Sequence, residues 1–112
     1  MKIPYGKQSI SANDISAVID VLESEFLTQG PITPEFETQI ANYCQAKYSV
    51  ATCNATAALH IACKALNITS NDIVWTSPNS FVASANCALY CGASIDFIDI
   101  DPDDFNCGMS RK

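Results

Sequence analysis

Two places where an extended run gives way to a helical one hold the residues with the most chemical potential. The first is Cys53-Asn54-Ala55-Thr56-Ala57-Ala58-Leu59-His60. Small side chains there let an anion approach the backbone. The first N–H groups of a helix lack internal partners and carry the positive end of its dipole, and Thr56 adds a hydroxyl donor. That combination suits a phosphate; the plainer alternative is that Asn54 or Thr56 only caps the helix. The second is Ser77-Pro78-Asn79-Ser80-Phe81-Val82-Ala83-Ser84-Ala85-Asn86. Here Phe81 can offer a flat face to an aromatic ligand, the alternative being a core phenylalanine. The acidic cluster Asp99, Asp101, Asp103 and Asp104 lacks the spacing and the glycine of a calcium loop and reads as a solvated turn. No GxGxxG, P-loop or GxSxG sequence is present, so dinucleotide and serine-nucleophile chemistry get no support.

The elements that position these junctions follow from periodicity. Ile15, Val18, Ile19, Leu22 and Phe26 recur at helical spacing, predicting a helix from about Asn13 to Glu25 with a capping box between Ser11 and Asp14. Gly30-Pro31 turns the chain. A second helix starts at Thr33-Pro34-Glu35, with Thr33 able to cap and Phe36, Ile40, Tyr43 and Cys44 as its apolar stripe. Alternating segments follow: a strand over Tyr48–Cys53, a helix over Thr56–Leu66, a strand over Ile73–Thr76, a helix over Phe81–Cys91 with Gly92 past its end, and a strand over Ile95–Ile100. The order predicts α/β structure, a parallel sheet of three strands with helical crossovers. Both junctions then fall at the carboxyl edge of the sheet, where ligands of open α/β sheets sit.

Composition narrows the class. In 112 residues, 48% are hydrophobic and 16% charged, which predicts a folded chain with one domain as the prior. The net charge of -6 and the lack of a basic stripe speak against nucleic acid and against a polybasic membrane surface. The opening Met1-Lys2-Ile3-Pro4-Tyr5-Gly6-Lys7 does not read as a signal peptide, and no stretch is apolar enough to span a membrane, so a cytoplasmic site is the expectation. Cys44, Cys53, Cys63, Cys87, Cys91 and Cys107 mostly fall in apolar runs and are expected to be reduced packing residues. Cys87 and Cys91 are four apart on one helix face, half a metal site at most. His60 is the only histidine, so no metal is expected.

Taken in order, several segments resemble the DegT/DnrJ/EryC1/StrS-type family of pyridoxal-phosphate (PLP) dependent aminotransferases that act on nucleotide-linked keto-sugars. They are Phe26-Leu27-Thr28-Gln29-Gly30-Pro31 with Phe36-Glu37, Asn54-Ala55-Thr56-Ala57-Ala58-Leu59, Ser77-Pro78-Asn79-Ser80-Phe81-Val82-Ala83-Ser84-Ala85-Asn86, and Asp99-Ile100-Asp101. Within the family the likeness is nearest to the branch that serves pseudaminic acid synthesis. The resemblance implies the aspartate aminotransferase-like fold (fold type I), with residues 1–47 as N-terminal helices and 48–112 as the start of the large PLP-binding α/β domain, together one incomplete domain. It implies a homodimer, PLP as cofactor, glutamate as amino donor and a UDP-linked 4-keto-sugar as acceptor. By matching positions, Thr56 and the N–H of Ala57 hold the cofactor phosphate and Phe81 stacks on the pyridine ring. Tyr5 and the segment Glu25, Phe26, Leu27 and Thr28 lie near the nucleotide sugar. Many members have Gly where Ala55 stands, and some have Ala.

The resemblance also places the Schiff-base lysine, and the aspartate that pairs with the pyridinium nitrogen, downstream of Lys112. Lys2, Lys7, Lys47, Lys64 and Lys112 occupy none of the family's catalytic positions. The chain is therefore expected to be an N-terminal fragment with no catalytic residue of its own, inactive alone because PLP chemistry needs both groups. Two alternatives stand beside this: a non-catalytic binding module or decoy subunit of the same fold, and an unrelated small α/β domain that binds a phosphorylated ligand.

Overall fold

The computed structural model describes residues 6–106 and 108. The chain forms two compact units, Met1–Ala51 and Thr52–Lys112.

In the first unit, helix α1 spans Ala12–Leu22 and α2 spans Ile32–Tyr43. The expected capping box is present. Ser11 donates its N–H and hydroxyl to Asp14 Oδ2 at 2.7 and 2.8 Å, and Asp14 N–H donates to Ser11 Oγ at 3.2 Å. Those two donors, the backbone N–H first, hold the Asp14 carboxyl below the usual aspartate range. Helix α1 stops before the expected Glu25. The Ser24 hydroxyl donates to Val21 O at 2.7 Å, the carbonyl that Glu25 N–H would take in a continued helix. Helix α2 begins before the expected Thr33 cap. Pro31 holds the N-cap position in αR conformation without a side-chain cap, and Thr33 falls inside the first turn. Between the helices Gly30 makes a close approach: a Cβ there would stand 2.9 Å from Phe26 Cβ and 3.1 Å from Phe26 O.

The strand expected over Tyr48–Cys53 does not form. A strand is held by a ladder of inter-strand hydrogen bonds, and this segment has none. Ala51 N–H donates instead to the Glu37 carboxylate at 2.8 Å, and Tyr48 and Val50 remain exposed.

The second unit runs α3 (Ala55–Ala65), β1 (Ile73–Thr76), α4 (Ala83–Leu89) and β2 (Ser94–Phe97). Strands β1 and β2 pair in parallel, from Ile73 opposite Ser94 to Thr76 opposite Phe97. The α/β pattern with parallel strands therefore stands, with two strands among the described residues where three were expected. Strand β2 ends short of the expected Ile100. The last bond of the ladder is Ile98 N–H to Thr76 O at 3.0 Å, where β1 itself ends, and beyond it the Asp99 side chain accepts Ile100 N–H at 2.9 Å. Further on, Asp101 and Asp104 side chains accept from Asp103 and Asn106 N–H, both at 2.8 Å, so these acids shape an exposed turn.

Helix α4 packs against α3 and against both strands. Because it is covered on two sides, four of its seven residues are buried: Ala83, Ala85, Cys87 and Ala88. With Ala93 they are the whole buried apolar core among the described residues. Their small size lets backbone approach backbone, while Ile73, Trp75, Phe81 and Phe97 stay exposed. Helix α4 is closed by Gly92 at φ +81°, as the sequence led one to expect, with Gly92 N–H donating to Leu89 O at 2.9 Å.

The cysteine expectation needs correction at two positions. Cys44 and Cys53 are exposed; Cys63, Cys87 and Cys91 are at least half-buried, and all five are free. Cys44 follows the last turn of α2 and Cys53 precedes α3, where no neighbouring element covers them. The Cys63 thiol is pushed up to about 11, first by burial and then by the neighbouring Cys87 and Cys91. Cys107 lies outside the described residues.

Two outcomes follow. Gly92→Ala places a Cβ on a left-handed backbone and should destabilise the second unit by roughly 1 kcal/mol, read as a lowered urea midpoint in chemical denaturation. Iodoacetamide at mildly alkaline pH should alkylate Cys44 and Cys53 well before Cys63 and Cys87, with site occupancy read by peptide mass spectrometry.

Candidate functional site

At the first junction, Asn54 is extended (φ -168°, ψ 168°) and caps α3. Its Oδ1 accepts from Ala57 N–H at 2.9 Å, and its carbonyl accepts from Ala58 N–H at 3.1 Å and from the Thr52 hydroxyl at 2.9 Å. Capping by Asn54 is thus realised, and it occupies the Ala57 N–H that the resemblance assigned to a phosphate. The N–H groups of Ala55 and Thr56 have no hydrogen-bond partner among the described residues, and Thr56 is half-buried. An anion at this corner would meet two N–H groups and the Thr56 hydroxyl directly. It would gain Ala57 N–H only by displacing the Asn54 side chain.

At the second junction the loop after β1 is held by its own serines. Asn79 N–H donates to Ser77 Oγ at 3.1 Å, and the Ser80 and Ser84 hydroxyls share a hydrogen bond of 3.1 Å. Ser84 N–H donates to Phe81 O at 3.0 Å, which ties the loop to the start of α4. Phe81 is 74% exposed, which decides against a core role for it within this unit. It stands at a hollow of about 200 Å³ whose walls include Thr76, Ser77, Ser84 and Phe97. Thr76 and Phe97 are the last residues of β1 and β2 and lie opposite each other, so the hollow sits at the carboxyl edge of the sheet.

The hollow gathers Phe81 with hydroxyl side chains and a second phenylalanine. Thr56 and Ala57 are not in its wall; they open α3, which packs on α4. Phe97 went unnoticed in the sequence because it reads as one more apolar residue inside the strand expected over Ile95–Ile100; only the observed end of β2, opposite Thr76, brings it to the hollow.

In the first unit Glu25 and Phe26 line an apolar hollow of about 830 Å³ with Val18, Leu22, Pro31 and Ile32. Leu27 and Thr28 are exposed and are not part of its wall, and Tyr5 lies outside the described residues. Among the described residues no three His, Cys, Asp or Glu side chains are grouped to hold a metal ion, and no helix is long and apolar enough to cross a membrane.

The chain is similar to known proteins over nearly its whole length. It is 43% identical over 101 residues to the UDP-4-amino-4,6-dideoxy-N-acetyl-beta-L-altrosamine transaminase of Campylobacter jejuni, covering 90% of this chain and 27% of that protein. The structure of Streptococcus pneumoniae Spr1654 in its PLP-form superposes with a TM-score of 0.85 at 31% identity, over 94% of this chain and 27% of the other. Helicobacter pylori PseC, an aminotransferase involved in pseudoaminic acid biosynthesis, superposes with a TM-score of 0.82 at 31% identity, over 90% of this chain and 28% of the other. The chain thus has the α/β fold of these aminotransferases and spans about a quarter of their length. Residues 8–111 match the DegT/DnrJ/EryC1/StrS aminotransferase family, and the chain belongs to that family.

Proposed function

We propose that the chain is the N-terminal part of a PLP-dependent sugar aminotransferase, supplying the corner that grips the cofactor phosphate and the wall that faces its ring. The full-length enzyme would be a cytoplasmic homodimer that moves an amino group from glutamate to a UDP-linked 4-keto-sugar, in the making of pseudaminic acid or a related surface polysaccharide. The observation that carries this reading is the exposed Phe81 at a hollow on the sheet's carboxyl edge, in a chain that belongs to an aminotransferase family.

The residues present suit the cofactor's two recognition ends. Thr56, with the N–H groups of Ala55 and Thr56, would hold the phosphate, and Asn54 would yield the Ala57 N–H when the phosphate arrives. Phe81 would face the ring. When bound, PLP supplies a carbonyl that takes up the amino group and a ring that withdraws electrons. Glu25 and Phe26, beside their own apolar hollow, would lie near the nucleotide sugar, with Tyr5, Leu27 and Thr28 in the same role. A transaminase also needs a lysine to bind the cofactor covalently and move protons, and the resemblance to the family gives that role to none of this chain's lysines. The chain alone is therefore inactive.

Two measurements test this. The purified chain with PLP, glutamate and a UDP-4-keto-sugar should give no amino-sugar; robust turnover would refute the assignment of the lysine to sequence outside this chain. 4′-Deoxypyridoxine 5′-phosphate lacks the aldehyde and so cannot label lysines. The chain should bind it, and Thr56→Val should weaken binding roughly tenfold or more, as expected for a lost hydrogen bond to a charged group. Equal binding of the dephosphorylated analogue would sink the phosphate corner.

A further inference from the structure

We infer that Phe97 is a second aromatic contact for the cofactor ring, contributed by β2 opposite the loop that carries Phe81. The inference rests on reading the hollow as the ring site. Phe97 lies opposite Thr76 in the parallel register, and Ile98 N–H donates to Thr76 O at 3.0 Å, so the two strand ends are locked side by side. Thr76, Phe81 and Phe97 all reach the same hollow. Neither Ile73 nor Trp75, the large exposed residues of β1, lines it. Phe97 is 54% exposed, so much of its ring surface is open to contact.

Size limits what can enter. At about 200 Å³ the hollow is below the range of roughly 300–1,000 Å³ typical for whole small-molecule ligands. It has room for one substituted six-membered ring and not for a nucleotide sugar. Its chemistry agrees: two phenylalanines from different elements supply aromatic surface, while Thr76, Ser77 and Ser84 supply hydroxyls for ring substituents. Aromatic rings prefer offset or edge-on contact, which two walls on separate elements can offer together. Phe97 therefore positions the ring, and its effect depends on its being aromatic rather than merely apolar.

The test uses the whole 112-residue chain with 4′-deoxypyridoxine 5′-phosphate, read through quenching of Trp75, the single tryptophan, which sits next to Thr76 on β1. Phe97→Leu should weaken binding three- to tenfold, roughly the worth of an aromatic contact beyond its area. Phe97→Tyr should stay within about twofold of the unchanged chain. Should Phe97→Leu lose its helical circular dichroism, Phe97→Ile, whose branched side chain suits a strand, takes its place. Undiminished binding by the aliphatic variant, with Phe81→Leu clearly weakened, would overturn the role of Phe97 and leave the proposed function standing. Absence of binding by the unchanged chain would overturn both.

Discussion

The packing of α4 on both of its sides is the constraint on which the second unit depends. One side meets α3 and the other meets the two strands. An element gripped in this way cannot carry large side chains on its covered surfaces without forcing the layers apart. Its buried residues are accordingly three alanines and a cysteine. The same closeness determines where the loop before α4 and the turn after it run. Gly92 ends the helix and returns the chain into β2, and the serine-tied loop before the helix leaves Phe81 at the rim. The hollow is thus a by-product of how tightly α4 is seated.

That seating explains an imbalance that would otherwise be puzzling. The core is made of the smallest apolar side chains, while leucine, isoleucine and aromatic residues of both units lie exposed. Large apolar surface left open marks contact with other protein or with ligand. In the second unit such surface occurs at the sheet edge, on Phe81 and Phe97; in the first it lines the hollow containing Phe26. Small side chains hold the scaffold together and large ones are spent on its outward faces. A chain spanning about a quarter of its relatives' length has many such faces.

Local chemistry was the part most legible in the sequence. The Ser11–Asp14 box, the Asn54 cap and the stop at Gly92 are decided by neighbours within a few residues, and each appears as the residue types require. Strand β1 was equally plain, since Ile73-Val74-Trp75-Thr76 is bulky and bounded by turn residues. The segment Tyr48–Cys53 has the same local look, yet whether it becomes a strand depends on a neighbour to pair with. Composition of the segment carries no information about that neighbour. The ends of α1 and β2 were missed for separate reasons. At α1 a single side chain, Ser24, takes over a backbone group and could as well have pointed to water; β2 stops where its partner strand ends, at Thr76.

The site shows the same division. Thr56 and Phe81 stood out in the sequence because each lies where an extended run gives way to a helical one, although α4 starts only at Ala83 and Phe81 sits in the loop before it. Phe97 did not, because nothing in Ser94-Ile95-Asp96-Phe97 distinguishes a phenylalanine at the wall of a hollow from one facing a core. Only the register, with Phe97 opposite Thr76, brings it to the hollow. Asn54 poses the converse case: an obvious cap, whose bond to Ala57 N–H takes one of the donors that an anion at this corner could otherwise use. Helix stability and anion binding draw on the same few orphan N–H groups. An anion could share this corner only with a cap that is adequate without being irreplaceable, and a neutral amide that accepts from Ala57 N–H and donates to the Cys53 sulfur at 3.4 Å meets that condition better than a carboxylate, whose charge would repel an anion.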